Sequence, residues 1–304
     1  VSATSRTSSG WWGAGAAWAF LGVLAFSVTL PMTVLAIRGF DPAVVGTGRS
    51  VGAGLIAAAA LAVARVPFPP RALWGSFVLI ALGVGIGFGF LTSLALRTES
   101  AAHGAVVIAM LPAATAVVAT VRGGERPGRT FWVASAIGSV VVLGYVLARS
   151  GFSGISVADV LFLLATLCAA VGYAEGGALA RTMPGWQVIA WGMVFTLPIA
   201  IPATAIAVAV SEPADPSPAS LVGFGYLIVV SMFVGFVAWY RGMGLIGVAR
   251  ASQVQLVQPL LTVGWAALIL GEAVGVGTVV TAVAVVACVA VTQRARIGAV
   301  GSVP

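Results

Sequence analysis

No lysine occurs anywhere in the 304 residues, and the chain has one histidine and two cysteines. Without lysine no P-loop can be written and no Schiff base to retinal or pyridoxal phosphate can form, so an opsin is excluded and so is a pump carrying its own ATPase. A single histidine leaves no HExxH zinc pair, and no Ser/His/Asp set falls at membrane depth, which argues against an intramembrane hydrolase. Cys168 and Cys288 lie deep in apolar runs and read as buried structural thiols, not as a disulfide framework. No enzyme activity, cofactor or metal is expected. Charge is scarce as well: 8% of the residues are charged, against roughly 25% in an average soluble domain. What is present is apolar, at 60% of residues and a mean hydropathy of +1.11, the composition of an integral membrane protein.

A hydrocarbon core ~30 Å thick takes about 20 helical residues to cross. Ten runs meet that length: 12–37, 43–64, 73–96, 101–121, 130–148, 157–180, 186–210, 221–244, 251–270 and 274–292. The gaps are short, and the longest, Ser211 to Ser220, has no room for a soluble domain. Barrel-type alternation is absent, so helices are the expected spanning form. The first run is too long for the apolar part of a signal peptide and stays as helix one. Counting loops alternately from the N terminus puts eleven arginines on one side and four, Arg38, Arg49, Arg97 and Arg149, on the other. Positive charge marks the cytoplasmic face, so both termini are expected in the cytoplasm of a bacterial inner-membrane protein. The net charge of +7 is then a topology signal, with the bilayer as partner and no nucleic acid.

One line of sequence occurs twice, 147 residues apart. An apolar stretch carries Pro112 and ends in Gly124-Glu125; another carries Pro259 and ends in Gly271-Glu272. This duplication divides the chain into units 11–149 and 150–296. Ten helices shared by two units makes five each, an odd number, so the second unit enters the membrane from the opposite side. The expected fold is therefore all-α, with ten transmembrane helices as two inverted five-helix repeats (5+5) around a central cavity. Such pairs are a recurring design of secondary transporters.

The stretches Ala95 to Glu125 and Gly242 to Glu272 each resemble the helix three, loop, helix four signature of the EamA domains of the drug/metabolite transporter (DMT) superfamily. Asp41-Pro42 followed by Arg49 is similar to the start of the first such domain. The likeness covers residues 12 to 292, and the ten-helix layout is similar to the YddG-type amino-acid exporters. One departure stands out: the second unit has Met183-Pro184-Gly185 and Trp191 where the first has Asp41-Pro42 and Arg49. The resemblance implies export of a small metabolite, with aromatic and neutral amino acids as the substrate class.

Ionisable and amide groups at membrane depth are costly unless they face protein or water, so they are the candidate site residues. Ser252, Gln255, Gln258, Thr262 and Trp265 recur at helical spacing on helix nine, either bonding between helices or walling a cavity that holds a polar substrate. Helix eight offers Ser231, Trp239 and Tyr240, the two aromatics being interfacial anchors or cavity neighbours. Arg49 either snorkels or pairs with Asp41 or Glu99, or else binds a substrate carboxylate. Glu175, beside Tyr173, either pairs with Arg181 or Arg241 or carries a coupling proton. His103, at the start of helix four, is a solvated or capping residue, a pH sensor or a substrate contact. Pro112 and Pro259 remove helix hydrogen bonds and are the expected hinges. Glycines at four-residue spacing, Gly83 to Gly89 on helix three and Gly172 and Gly176 on helix six, permit close packing.

The expected function is a secondary active or facilitative transporter, working by alternating access and exporting amino acids or related small metabolites. Within the class, a carrier of sugars, nucleotide precursors or cationic drugs is the alternative; outside it, a channel or membrane scaffold. Oligomeric state is open, and a monomer is compatible with every feature.

Overall fold

A computed structural model of the chain describes residues 9–123, 129–149 and 155–300. Among them there is no strand, and nearly every described residue lies in a helix or a short turn between helices. Six are long and apolar enough to cross a bilayer: α1 (Gly13–Ile37), α2 (Pro42–Val63), α3 (Arg71–Ala95), and, further on, Val157–Leu179, Gly185–Val210 and Pro218–Ile246. Between α3 and these last three lie α4 (Ala101–Ile108), α5 (Leu111–Gly123) and α6 (Arg129–Arg149). The last three are α7, α8 and α9, and after them come α10 (Val248–Gln255), α11 (Gln258–Leu270) and α12 (Val276–Val300). Large apolar side chains such as Leu55, Val140, Val208 and Leu268 point outward, as hydrocarbon contact requires.

The helix starts follow local chemistry. Asp41 accepts from Ala43 N at 2.7 Å, with Pro42 at the first helical position of α2. Ser217 and Pro218 repeat the device on α9. Ser156 and Asp159 form a capping box at the start of α7. Ser100 caps α4, whose first two free N–H groups, those of Ala101 and Ala102, donate to the carboxylate of Glu272 at 2.9 and 3.0 Å. Glu272 follows Gly271, which ends α11 in the left-handed region at φ +67. The Gly-Glu of the second motif thus ties the end of α11, in one half, to a helix start in the other. Its counterpart, Glu125, lies outside the described residues.

Two expected spans are broken. The fourth divides into α4 and α5, and the ninth into α10 and α11. Pro112 and Pro259 have no N–H, so the carbonyls of Ile108 and Gln255 lose their donors four residues on, and each helix ends at that carbonyl. The breaks keep the 147-residue offset of the motif. A second pair of irregularities, which periodicity did not predict, consists of π-helical turns at Ala81–Phe88 in α3 and Leu227–Val234 in α9. They too sit at nearly equivalent places in the two halves.

Packing between the halves is reciprocal. Helix α2 runs along α8 and α6 along α12, while α1 pairs with α9 as α3 pairs with α7. The α4/α5 rod also lies on α7 much as α10/α11 lies on α1. Glycines set the closest approaches: a Cβ on Gly83 would strike the Cys168 carbonyl, one on Gly172 would strike Val84, and one on Gly176 would strike Tyr240. The two cysteines are only half-buried, a correction to their expected depth, because α7 and α12 each turn one side toward the lipid.

Glu272→Ala removes the acceptor for two helix N–H groups and is expected to cost about 1–2 kcal/mol of stability. Melting of detergent-solubilised protein should fall for Glu272→Ala and less for Glu272→Gln. Wild-type melting of the Ala variant would exclude this cap as a stabilising contact.

Candidate functional site

The broken helices, the π-helical turns and the α2 arginine meet at one cavity in the middle of the bundle. Its wall draws on α1, α2, α3, α4 and α5 and on α7, α9, α10 and α11, so both halves contribute. The space open to water-sized molecules is about 40 Å³, a few waters' worth and less than an amino acid needs. Any solute larger than a few waters would enter only if the surrounding helices parted.

Arg49 supplies the formal charge among the lining residues. It stands two turns into α2, is 0% exposed, and lies against Gly89 of α3, where any Cβ would collide with the guanidinium. The Phe88 ring sits 5.8 Å from Cζ. Nε, Nη1 and Nη2 have no hydrogen-bond partner among the described residues. The expected pairing with Asp41 or Glu99 is thus corrected, since Asp41 is turned back onto its own helix N-terminus. An ion buried without a counter-ion or hydrogen bonds costs several kcal/mol, which an anionic ligand would offset.

The α10/α11 break contributes to the same wall. Gln255 ends α10 and Gln258 opens α11, with Gln255 Nε2 donating to Gln258 Oε1 at 3.4 Å. Gln255 Oε1 is buried and has no partner among the described residues. Thr262 Oγ1 turns back to the Gln258 carbonyl at 3.0 Å, and Trp265 Nε1 donates to Ser27 Oγ at 3.0 Å. Ser231, on the α9 π-helical turn, shares a 2.8 Å hydrogen bond with Thr29 Oγ1. Pro112 and Pro259 both line the cavity. The side chain of Ser252 lies outside the described residues.

One end of the cavity is floored by aromatic rings. Phe26 and Phe236 lie 4.6 Å apart, and Tyr173 meets Phe236 edge-on at 5.7 Å. Trp239 is fully buried behind Tyr173 at 5.8 Å and does not line the cavity. Tyr240 is also behind the wall, its hydroxyl donating to the Gly172 carbonyl at 3.2 Å. Reading these two as interfacial anchors or as cavity wall is therefore corrected: they back the floor and lock α9 onto α7. Trp74 and Trp132, by contrast, are 38% and 51% exposed. Glu175 is buried on α7 within electrostatic reach of Tyr240, while Arg241 lies over the Trp18 ring at 4.3 Å. Trp191 packs on Phe68 at 4.9 Å and has no place in the wall.

His103 is neither solvated nor in the cavity. It is 2% exposed, and Nε2 lies 2.6 Å from Asp159 Oδ1 on α7, a residue that sequence reasoning passed over. The Ser156-x-x-Asp159 capping pattern was the available signal. Gly89 was noticed only as a packing residue, and Thr29, Phe26 and Phe236 carried no signal apart from the apolar runs around them.

Comparison with known proteins agrees with this architecture. The model of the EamA-like transporter family matches twice, at residues 13–148 and 156–293. The chain is 40% identical over 290 residues to the uncharacterized transporter YdeK of Bacillus subtilis (strain 168), covering 95% of this chain and 99% of that protein. A crystal structure of a protein whose name states no function superposes with a TM-score of 0.63 at 17% identity, over 91% of this chain and 97% of that one, a likeness of fold alone. With two consecutive matches spanning nearly its whole length, this multi-pass membrane protein belongs to the EamA-like transporter family.

Proposed function

We propose that the chain is a carrier that exports amino acids or similar small carboxylates by alternating access. The observation that carries this reading is a pair of buried groups of opposite kind in one mid-bundle cavity: the unpartnered guanidinium of Arg49 and the unpartnered Oε1 of Gln255. A ligand satisfying both has a carboxylate and a hydrogen-bond donor. The amino-acid carboxylate lies in the fork of Arg49, its ammonium donates to Gln255 Oε1, and its side chain meets Phe26, Tyr173 and Phe236. A cationic drug fits poorly, because no carboxylate is among the lining residues.

The scaffold is read as ten spans in two inverted five-helix repeats, 11–149 and 150–296, with α4/α5, α6, α10/α11 and α12 completing the count. Reciprocal packing of the halves supports a two-fold relation between them. Arginine placement orients both termini to the cytoplasm of an inner membrane. The aromatic floor then closes the cytoplasmic end, and the starts of α4 and α7 form the outer end. Both halves of the cavity come from one chain, so a monomer suffices. Helices broken at Pro112 and Pro259 serve as hinges. Glu175 stays a coupling candidate through its burial beside the floor.

Counterflow in proteoliposomes with labelled amino acids, sugars and nucleosides tests the class; exchange of sugars or nucleosides without any carboxylate would sink this reading, and currents that do not saturate would point to a channel. Arg49→Gln should weaken an amino-acid substrate by ~2–3 kcal/mol, about 30- to 150-fold, with Arg49→Lys in between. The methyl ester of that substrate should compete weakly with the wild type and no worse with Arg49→Gln, which a merely structural arginine would not produce. Gln255→Leu should cost about 1 kcal/mol, roughly fivefold, for the amino acid, and nothing for its deaminated analogue. Equal losses for both ligands would remove Gln255 from the site.

A further inference from the structure

The histidine of this chain is buried where the two halves meet, away from the cavity. His103 belongs to the first turn of α4 and Asp159 to the first turn of α7, so their 2.6 Å contact bridges the halves. The carboxylate is fully engaged. Oδ2 accepts from Ser156 N at 2.9 Å and Ser156 Oγ at 2.7 Å, and Oδ1 faces the imidazole. The ring stacks on Tyr145 of α6 at 5.4 Å, and Phe162 of α7 lies 6.2 Å away. Nδ1, however, is buried with no partner among the described residues.

This geometry leaves one proton position unfilled. With Nε2–H donating to Asp159, the neutral ring presents a bare lone pair at Nδ1, and the buried pair carries a net negative charge. A proton taken up at Nδ1 gives an imidazolium that neutralises Asp159. Among the described residues, the ionisable groups facing the ring are Asp159 from α7 and Tyr145 from α6, whose phenol is held 3.2 Å from Thr278 Oγ1 of α12. Glu272, after α11, reaches the same turn through the Ala101 and Ala102 N–H groups, while Glu99 precedes α4 and Arg38 follows α1.

We propose that His103 and Asp159 form a proton-binding latch at the outer end of the bundle. Its coupling to transport rests on the carrier reading above. One proton from the outer solution binds Nδ1, and the resulting ion pair holds α4 of the first half to α7 of the second. Loss of that proton to the same solution leaves a single hydrogen bond and an uncompensated carboxylate, and the outer ends part more readily. External acid therefore slows the outward-opening step of export.

Because the chain has one histidine, protein labelled with [15N]histidine and purified through a histidine-free tag gives a single imidazole spectrum. In wild-type protein in nanodiscs stepped from about pH 8 down to about pH 5, Nδ1 should gain a proton while Nε2 stays protonated. A protonation state fixed across that range would overturn the proposal. In proteoliposomes, lowering only the outer pH should slow wild-type export several-fold, and His103→Gln or Asp159→Asn should flatten the profile. A His103→Gln profile as steep as wild type, or a wild-type profile that is flat despite titration of the ring, would also overturn the latch. If no compound in the substrate panel exchanges at any pH, the carrier reading fails, while the imidazole spectrum still decides whether the proton site exists.

Discussion

A guanidinium held in the middle of a hydrocarbon-length bundle without a counter-ion is the condition that the rest of the structure has to meet. Moving such a group out of water costs several kcal/mol even after relaxation. The fold gives Arg49 room at Gly89 and a ring at Phe88, but among the described residues no acceptor for its three nitrogens. Neighbouring polar groups do not relieve it: Ser50 is committed to the Gly85 carbonyl and Asp41 to the start of its own helix. Arrangements of this kind cost stability, and a carboxylate ligand would return it. On this view the cavity is tuned for binding at the expense of the unliganded fold.

The duplicated architecture explains how such a cavity is built and also why it is not symmetric. Breaks at Pro112 and Pro259 and π-helical turns at Ala81–Phe88 and Leu227–Val234 recur in both halves. These features bring irregular backbone to the centre, where lipid cannot reach it. The side chains at the breaks differ. Ile108 and Leu111 flank the first, whereas Gln255 and Gln258 flank the second, and Arg49 has no charged counterpart on α8. Duplication supplies the shape, and the departures from it supply the chemistry.

Much of this was legible in the sequence, because composition and proline placement act locally. Apolar length fixed the helical class, and the Pro plus Gly-Glu line located the breaks to within a few residues. Gln255, Gln258, Thr262, Ser231, Tyr173 and Arg49 all fall on the cavity wall, since a polar group in an apolar run has few other places to go. Trp239 and Tyr240 could not be placed, because an aromatic near a helix end serves equally as an anchor or as packing behind a wall. The π-helical turns had no signal in periodicity, and the His103–Asp159 contact joins residues 56 positions apart through a packing arrangement that no local pattern encodes.

The two ends of the cavity are closed by different physics. Toward the aromatic floor, closure is mainly dispersion and hydrophobic contact among Phe26, Tyr173, Phe236 and Trp239, with one hydroxyl bond from Tyr240. Toward the starts of α4 and α7, closure is polar: the Glu272 carboxylate on two helix N–H groups, and the imidazole on Asp159. Apolar contacts respond little to pH or to a charged solute, whereas charge-assisted ones respond to both. In the proposed cycle the floor therefore yields mainly to the apolar body of a substrate, and the opposite end mainly to protons. In that proposed cycle, uptake on one face would depend on shape and release on the other on electrostatics.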